Sequence, residues 1–189
     1  MNSPNHQNDR RVLVIMGSVR AGRHCPQITE WVVGIARQTD GLSFETIDLR
    51  DWHLPLDDEP AIPAQGSYNQ PHTKAWSEKV AGADAVVIVT PQYNWGYPAV
   101  LKNALDHLYA EWRDKPLLIV TYGGHGGVKC AAQLRQVAEA LKMKPCATMP
   151  ALTISHEAII GGRLDAGKDL LAFEASVIEA VGELKEALS

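Results

Sequence analysis

Three short segments of this chain concentrate residue types that can do chemistry. The first, Gly17-Ser18-Val19-Arg20-Ala21-Gly22-Arg23-His24, places a hydroxyl, two guanidinium groups and two glycines close together. The Ser18 hydroxyl can donate a hydrogen bond, Arg20 and Arg23 can make charge-assisted ones, and glycine lets the backbone come near a ligand. If a helix follows, its free N–H groups and positive end favour an anion, so the segment suits a phosphate. The alternative is a plain turn with two solvated arginines. The pattern is neither a Walker A sequence nor GxGxxG, which counts against kinase-type ATP use and a standard dinucleotide grip.

The second segment is Pro91-Gln92-Tyr93-Asn94-Trp95-Gly96-Tyr97-Pro98. Aromatic faces stack on a conjugated heterocycle, and amides with turn N–H groups bond its polar edge, so this composition suits a flat ring. A tight turn with its aromatics packed into the core is the competing reading. The third is Thr121-Tyr122-Gly123-Gly124-His125-Gly126-Gly127, whose glycines permit positive φ and close approach to a ligand, or form a mobile connector without one.

Other chemistries find less support. No GxSxG elbow is present for a serine hydrolase. His24, His53, His72, His107, His125 and His156 lack HxxxH or HExxH spacing, so they are expected at surfaces or in loops and no metal site is expected. Cys25 lies near a helix start and two arginines, which can lower a thiol pKa, although a packed thiol is the simpler reading. No side chain is assigned a catalytic role.

The elements that must position these segments can be read from hydrophobic patterning. Arg11 to Met16 is a short apolar run stopped by Gly17-Ser18, as expected of a strand buried on both faces. Gln27 to Gln38 carries apolar residues at helical spacing behind Pro26. Phe44 to Leu49 reads as a second strand, and the Pro-rich stretch from Arg50 to His72 as a long loop that either covers a site or is solvated. Thr73 is expected to cap a helix to about Ala81. A third strand from Asp84 to Thr90, a helix from Pro98 through His107 and Tyr109, and a fourth strand from Pro116 to Tyr122 follow. A helix from Val128 to Leu141, a fifth strand within Cys146 to Ile154, and a last helix from Lys168 to Leu188 complete the pattern.

Alternating strands and helices imply right-handed crossovers and a parallel sheet covered on both faces. The expected fold is an α/β three-layer sandwich of the flavodoxin-like type, five parallel strands in order 2-1-3-4-5. Ligands in such sheets bind beyond the carboxyl ends of the strands where strand order reverses. That rule selects the loops after strands one, three and four, the three segments above.

At 189 residues the chain matches one domain, expected to span residues 11–189 behind a flexible segment of residues 1–10. A net charge of -4 argues against a general nucleic-acid partner. Cys25, Cys130 and Cys146 are odd in number and without CxxC spacing, so neither a disulfide framework nor structural zinc is suggested. Met1 to Arg10 lacks the apolar stretch of a secretory signal, and runs such as Ala85 to Val89 are too short for a bilayer. A soluble, cytoplasmic protein without a membrane partner is expected.

With those segments in hand, the sequence resembles the NADPH-dependent FMN reductase family. The resemblance runs from Gly17 to about Pro150 and is most specific in Pro91-Gln92-Tyr93-Asn94, Pro98, Leu101-Lys102-Asn103-Ala104-Leu105-Asp106, Glu111-Trp112 and Lys115-Pro116, with support from Gly17-Ser18-x-Arg20 and Tyr122-Gly123-Gly124. It implies FMN, its phosphate at Ser18, Arg20 and the adjoining turn, and its ring near Pro91, Gln92, Tyr93, Asn94, Tyr122, Gly123 and Gly124; Arg23 and Trp95, which lie in the same segments, are counted with these as expected cofactor-binding residues. It also implies hydride transfer from NADPH or NADH through FMN to a quinone, azo compound, metal oxyanion or free flavin, in a homodimer or homotetramer. The alternative is an electron carrier or flavin-binding module that does not oxidise NAD(P)H. Two departures stand out: Arg23 and Cys25 replace the serine and asparagine of many relatives' GSxRxxSxN turn, and Gln92 replaces a common glutamate.

Overall fold

The computed structural model describes residues 9–56 and 58–189. Residues 1–8, most of the expected N-terminal segment, lie outside them, while Arg10 already belongs to the first strand.

Three apolar runs form the central strands β1 (Arg10–Met16), β3 (Ala85–Pro91) and β4 (Pro116–Gly123), and the more polar β2 (Leu42–Asp48) forms the edge beside β1. Two short strands, β5 (Lys144–Pro145) and β6 (Ala151–Thr153), share the position beside β4. Among the described residues the strands of the sheet pair in parallel, in the order β2-β1-β3-β4-β5 with β6 also on β4. The expected order is therefore observed, but the fifth strand is split. Pro145 and Pro150 flank the gap, and the N–H groups of Ala147 and Thr148, lost to the ladder, donate instead to the Glu183 carboxylate at 2.7 and 3.0 Å.

The side chains of β1 alternate between two cores. Val12 and Val14 join α1 (Cys25–Ala36) and the C-terminal helix on one face. Leu13 and Ile15 join α2 (Pro71–Ala81), α3 (Ala99–Asp106) and α4 (Val128–Ala140) on the other. Trp76 of α2 and Trp112 are wholly buried there, with indole N–H groups donating to Ala104 O and Leu105 O. Among the described residues no helix is long and apolar enough to cross a membrane.

Two helix expectations change. Pro71 starts α2 after Gln70, so Thr73 is not its cap; its buried hydroxyl pairs with His107 Nδ1 at 3.2 Å. The expected last helix is broken into α6 (Ala166–Asp169), a 3-10 turn (Leu171–Phe173) and α7 (Glu174–Glu186), and a further short helix, α5 (His156–Gly161), precedes them. The Asp165 side chain caps α6 at Lys168 N, and fully buried Leu170 pins the break before α7.

Candidate active site

Register brings the carboxyl ends of the central strands side by side: Met16 opposite Val89, Pro91 opposite Tyr122, and Thr121 opposite Ala151. The loops leaving them enclose a cavity of about 230 Å³. Arg20, Gly22, Arg23 and His24 line it from the loop after β1, Pro91, Gln92 and Tyr93 from the end of β3, and Tyr122, Gly123 and Gly124 from the end of β4. Ile154 and Ile159 close it from the segment after β6. Of the expected site residues, Ser18, Asn94 and Trp95 do not line the cavity, and the others do.

Tyr93 organises the near wall. Its hydroxyl and that of fully buried Ser18 are 2.9 Å apart, so the Ser18 hydroxyl suggested for a phosphate ties the first loop to the second. The Arg20 guanidinium lies 3.9 Å from the Tyr93 ring centroid, a cation–π contact that fixes a side chain otherwise exposed. Gln92 Oε1 accepts from Cys130 N at 3.1 Å, satisfying a donor that the first turn of α4 leaves without a helical partner. An amide or a carboxylate meets that need equally, so the departure at Gln92 leaves this contact intact.

Arg23 is not solvated as a plain turn would have it. Its guanidinium is buried and paired with Asp48 at the end of β2, while its Nε and Nη1 have no protein partner. The Tyr122 hydroxyl is likewise buried without one. Buried donors in native proteins are nearly always paired, so orphans beside a cavity fit a ligand rich in acceptors. Burial pushes the Tyr122 phenol up, and it pushes up the Cys25 thiol as well, against the lowering that the nearby arginines suggested. Cys130 is pushed up to about 12 by burial. These groups are neutral at pH 7, so the site holds hydrogen-bond donors and an aromatic wall rather than a thiolate nucleophile. The guanidinium groups of Arg20 and Arg23, lining one cavity with Tyr93 and Gln92, fit a phosphate-tailed, flat, conjugated group such as FMN.

The chain matches the NADPH-dependent FMN reductase family over residues 10–157. It belongs to that family. A NAD(P)H-dependent FMN reductase of Schizosaccharomyces pombe is 52% identical over 93% of this chain and 89% of its own length. A quinone reductase of Escherichia coli is 31% identical over 67% of this chain and 68% of its own. The solved structure of FerB, a flavoenzyme NAD(P)H:(acceptor) oxidoreductase from Paracoccus denitrificans, superposes with a TM-score of 0.70 at 21% identity, covering 94% of this chain and 98% of that one. As a member of the FMN reductase family, the chain is an oxidoreductase that uses FMN and NAD(P)H.

Within this FMN reductase framework some residues escaped sequence reasoning. His24 is buried, not exposed, its Nε2 3.1 Å from Ala158 O, and it draws α5 against the cavity. Ile159 sits on α5, whose cap is Ser155 accepting from Ala158 N at 3.1 Å. Ser155, an N-cap type residue immediately before His156, was the available signal. Two glycines of the third loop serve packing instead of a ligand: a Cβ on Gly126 would meet Ala151 O at 2.8 Å, and one on Gly127 would meet Thr121 Cβ at 2.8 Å, both at positive φ.

A larger cavity, about 440 Å³, lies between the Pro-rich loop and α3 and shares no lining residue with the first. It is rimmed by Asp58, Glu59 and Asp106, and its one lysine, Lys102, is paired with Asp106, which suits an FMN phosphate poorly. Asp58, His72 and His107 bring ligand-type atoms within 4.8 Å of one another there, a grouping from separate elements that no linear spacing reveals. His107, buried and not at the surface, has both nitrogens engaged: Nε2 donates to Pro55 O at 2.8 Å and Nδ1 pairs with the Thr73 hydroxyl. Asn103 Nδ2 donates to Leu54 O at 2.8 Å, so α3 suspends the Pro-rich loop through backbone carbonyls.

Proposed function

We propose that Arg20, Arg23 and the adjoining turn hold the FMN phosphate, and that Pro91, Gln92, Tyr93 and residues 122–124 face its ring. The observation that carries this reading is the convergence of three strand-end loops on one cavity whose two guanidinium groups lie on the same loop. Ser18 acts through Tyr93, holding the ring that Arg20 covers. FMN, when bound, supplies the hydride chemistry, which no side chain here can supply.

The residues' part is binding and orientation. Arg23 shares its charge with Asp48, so its orphan N–H groups direct the phosphate while Arg20 contributes the less compensated charge. Ile154 and Ile159 give the cavity an apolar wall beside the ring. NAD(P)H and the acceptor enter the same open cavity in turn, which gives ping-pong kinetics. The acceptor is a small oxidant, a quinone, azo compound, metal oxyanion or free flavin, in keeping with relatives named as a quinone reductase and as an azoreductase.

The working unit is residues 11–189 in a homodimer or homotetramer, a reading supported by exposed Leu56, Ile62, Ile160 and Leu171. Three free, buried thiols fit a reducing cytoplasm. Anaerobic stopped-flow mixing of FMN-loaded protein with NADPH tests the activity. Bleaching of the flavin absorbance followed by reoxidation on adding a quinone is expected. A flavin that binds yet stays oxidised would make the protein a carrier and overturn the reading.

A further inference from the structure

The tip of the loop after β3 is a two-residue hairpin, Tyr93 N donating to Gly96 O at 2.8 Å and Gly96 N to Tyr93 O at 2.9 Å. Its central residues Asn94 and Trp95 both have positive φ, 49° and 72°. The ordinary occupants of such a turn are asparagine and then glycine. Asparagine tolerates the left-handed region, but a bulky aromatic residue rarely enters it. Glycine at position 95 would relax the backbone, and the core gains nothing from the tryptophan, which stays 65% exposed.

Lys129 lies beside it, its ammonium 5.0 Å from the Trp95 ring centroid. The first turn of α4, which carries Lys129, holds no acidic residue to offset that charge. Both residues continue loops that line the cavity: Trp95 stands two residues beyond Tyr93, and Lys129 two residues beyond Gly127 of the third loop. A strained, exposed aromatic face next to an ammonium matches a purine that carries a phosphate, since the base stacks and the phosphate takes the charge.

We propose that Trp95 and Lys129 form the adenosine end of the dinucleotide site, Trp95 stacking on adenine and Lys129 binding the 2′-phosphate that distinguishes NADPH from NADH. This deepens the reading of the chain as an NAD(P)H oxidant and rests on it. It also moves Trp95 from the flavin, with which the sequence reading counted it, to the second substrate.

The direct probe is adenosine 2′,5′-bisphosphate, titrated calorimetrically into FMN-loaded protein, because it reads binding without hydride transfer. Trp95→Gly is expected to weaken it by about tenfold or more, with a thermal midpoint equal to or above that of the unchanged protein. Lys129→Gln is expected to weaken it by a similar factor of about ten while adenosine 5′-phosphate binds as before. In anaerobic reduction, Trp95→Gly should lower the preference for NADPH over reduced nicotinamide mononucleotide, which lacks adenosine. Undiminished bisphosphate binding in both variants overturns the proposal, as does weakened FMN binding in Trp95→Gly, which would return the ring to the flavin. Bisphosphate bound through Trp95 by a protein that does not oxidise NADPH would sink the hydride reading and leave this binding site standing, so the two failures separate.

Discussion

Arg20 and Arg23 stand on one loop, yet their surroundings give their loss different consequences. Arg20 is exposed and stacked on Tyr93, so Arg20→Ala removes a charge-assisted contact without disturbing the core. FMN binding should weaken by about 1.5–3 kcal/mol, read by titration, while stability to urea is unchanged. Arg23→Ala leaves the partly buried Asp48 without its cation but still bonded by Arg50 N, and the FMN-free protein should lose roughly 1–3 kcal/mol in urea unfolding. The residue types and spacing made both arginines legible as anion donors. The Asp48 partner was not legible, because it lies on another strand and only the β1–β2 pairing brings it near. His24 and Ile159 were hidden for the same reason: their roles depend on where α5 packs.

At the scale of elements, buried parallel strands announce themselves as unbroken apolar runs, and β1, β3 and β4 fall within a residue or so of their expected bounds. The split of the fifth strand was not legible, since it depends on a carboxylate from the far C-terminal helix. Thr148, through its hydroxyl and then its N–H, holds Glu183 below the usual carboxylate range. A depressed folded pKa contributes stability above the unfolded value, near 4.3, and that contribution fades as pH falls through the folded value. Glu183→Gln should therefore lower the urea midpoint at pH 7, and its difference from the unchanged protein should shrink in acid. The Leu101-to-Asp106 motif, strong as a family mark, gives α3 a second duty through Asn103. Asn103→Ala should speed proteolytic cleavage within residues 54–70 while FMN affinity holds; cleavage at the unchanged rate would remove Asn103 as an anchor.

For the whole molecule, strand order follows from the alternation of elements, and the crevice follows from strand order. This is why the place of the crevice was legible before any side-chain contact was known. What sequence could not supply was the depth of each loop: Ser18 lies beneath Tyr93, and Trp95 stands clear of the cavity. The account depends on FMN occupying that crevice, and Gly124 gives the most direct access to it. A Cβ there would meet only Ile159 Cδ1, at 3.6 Å, so the fold accepts a side chain that the cavity cannot share with a ligand. The decisive measurement is the quenching of FMN fluorescence on titration into the unchanged protein and Gly124→Phe, with thermal midpoints recorded in parallel. The account predicts saturable binding to the first and at least about a hundredfold weaker binding to the second at equal stability, a difference of ~2.7 kcal/mol. Equal affinity in the two proteins would place FMN elsewhere and contradict it.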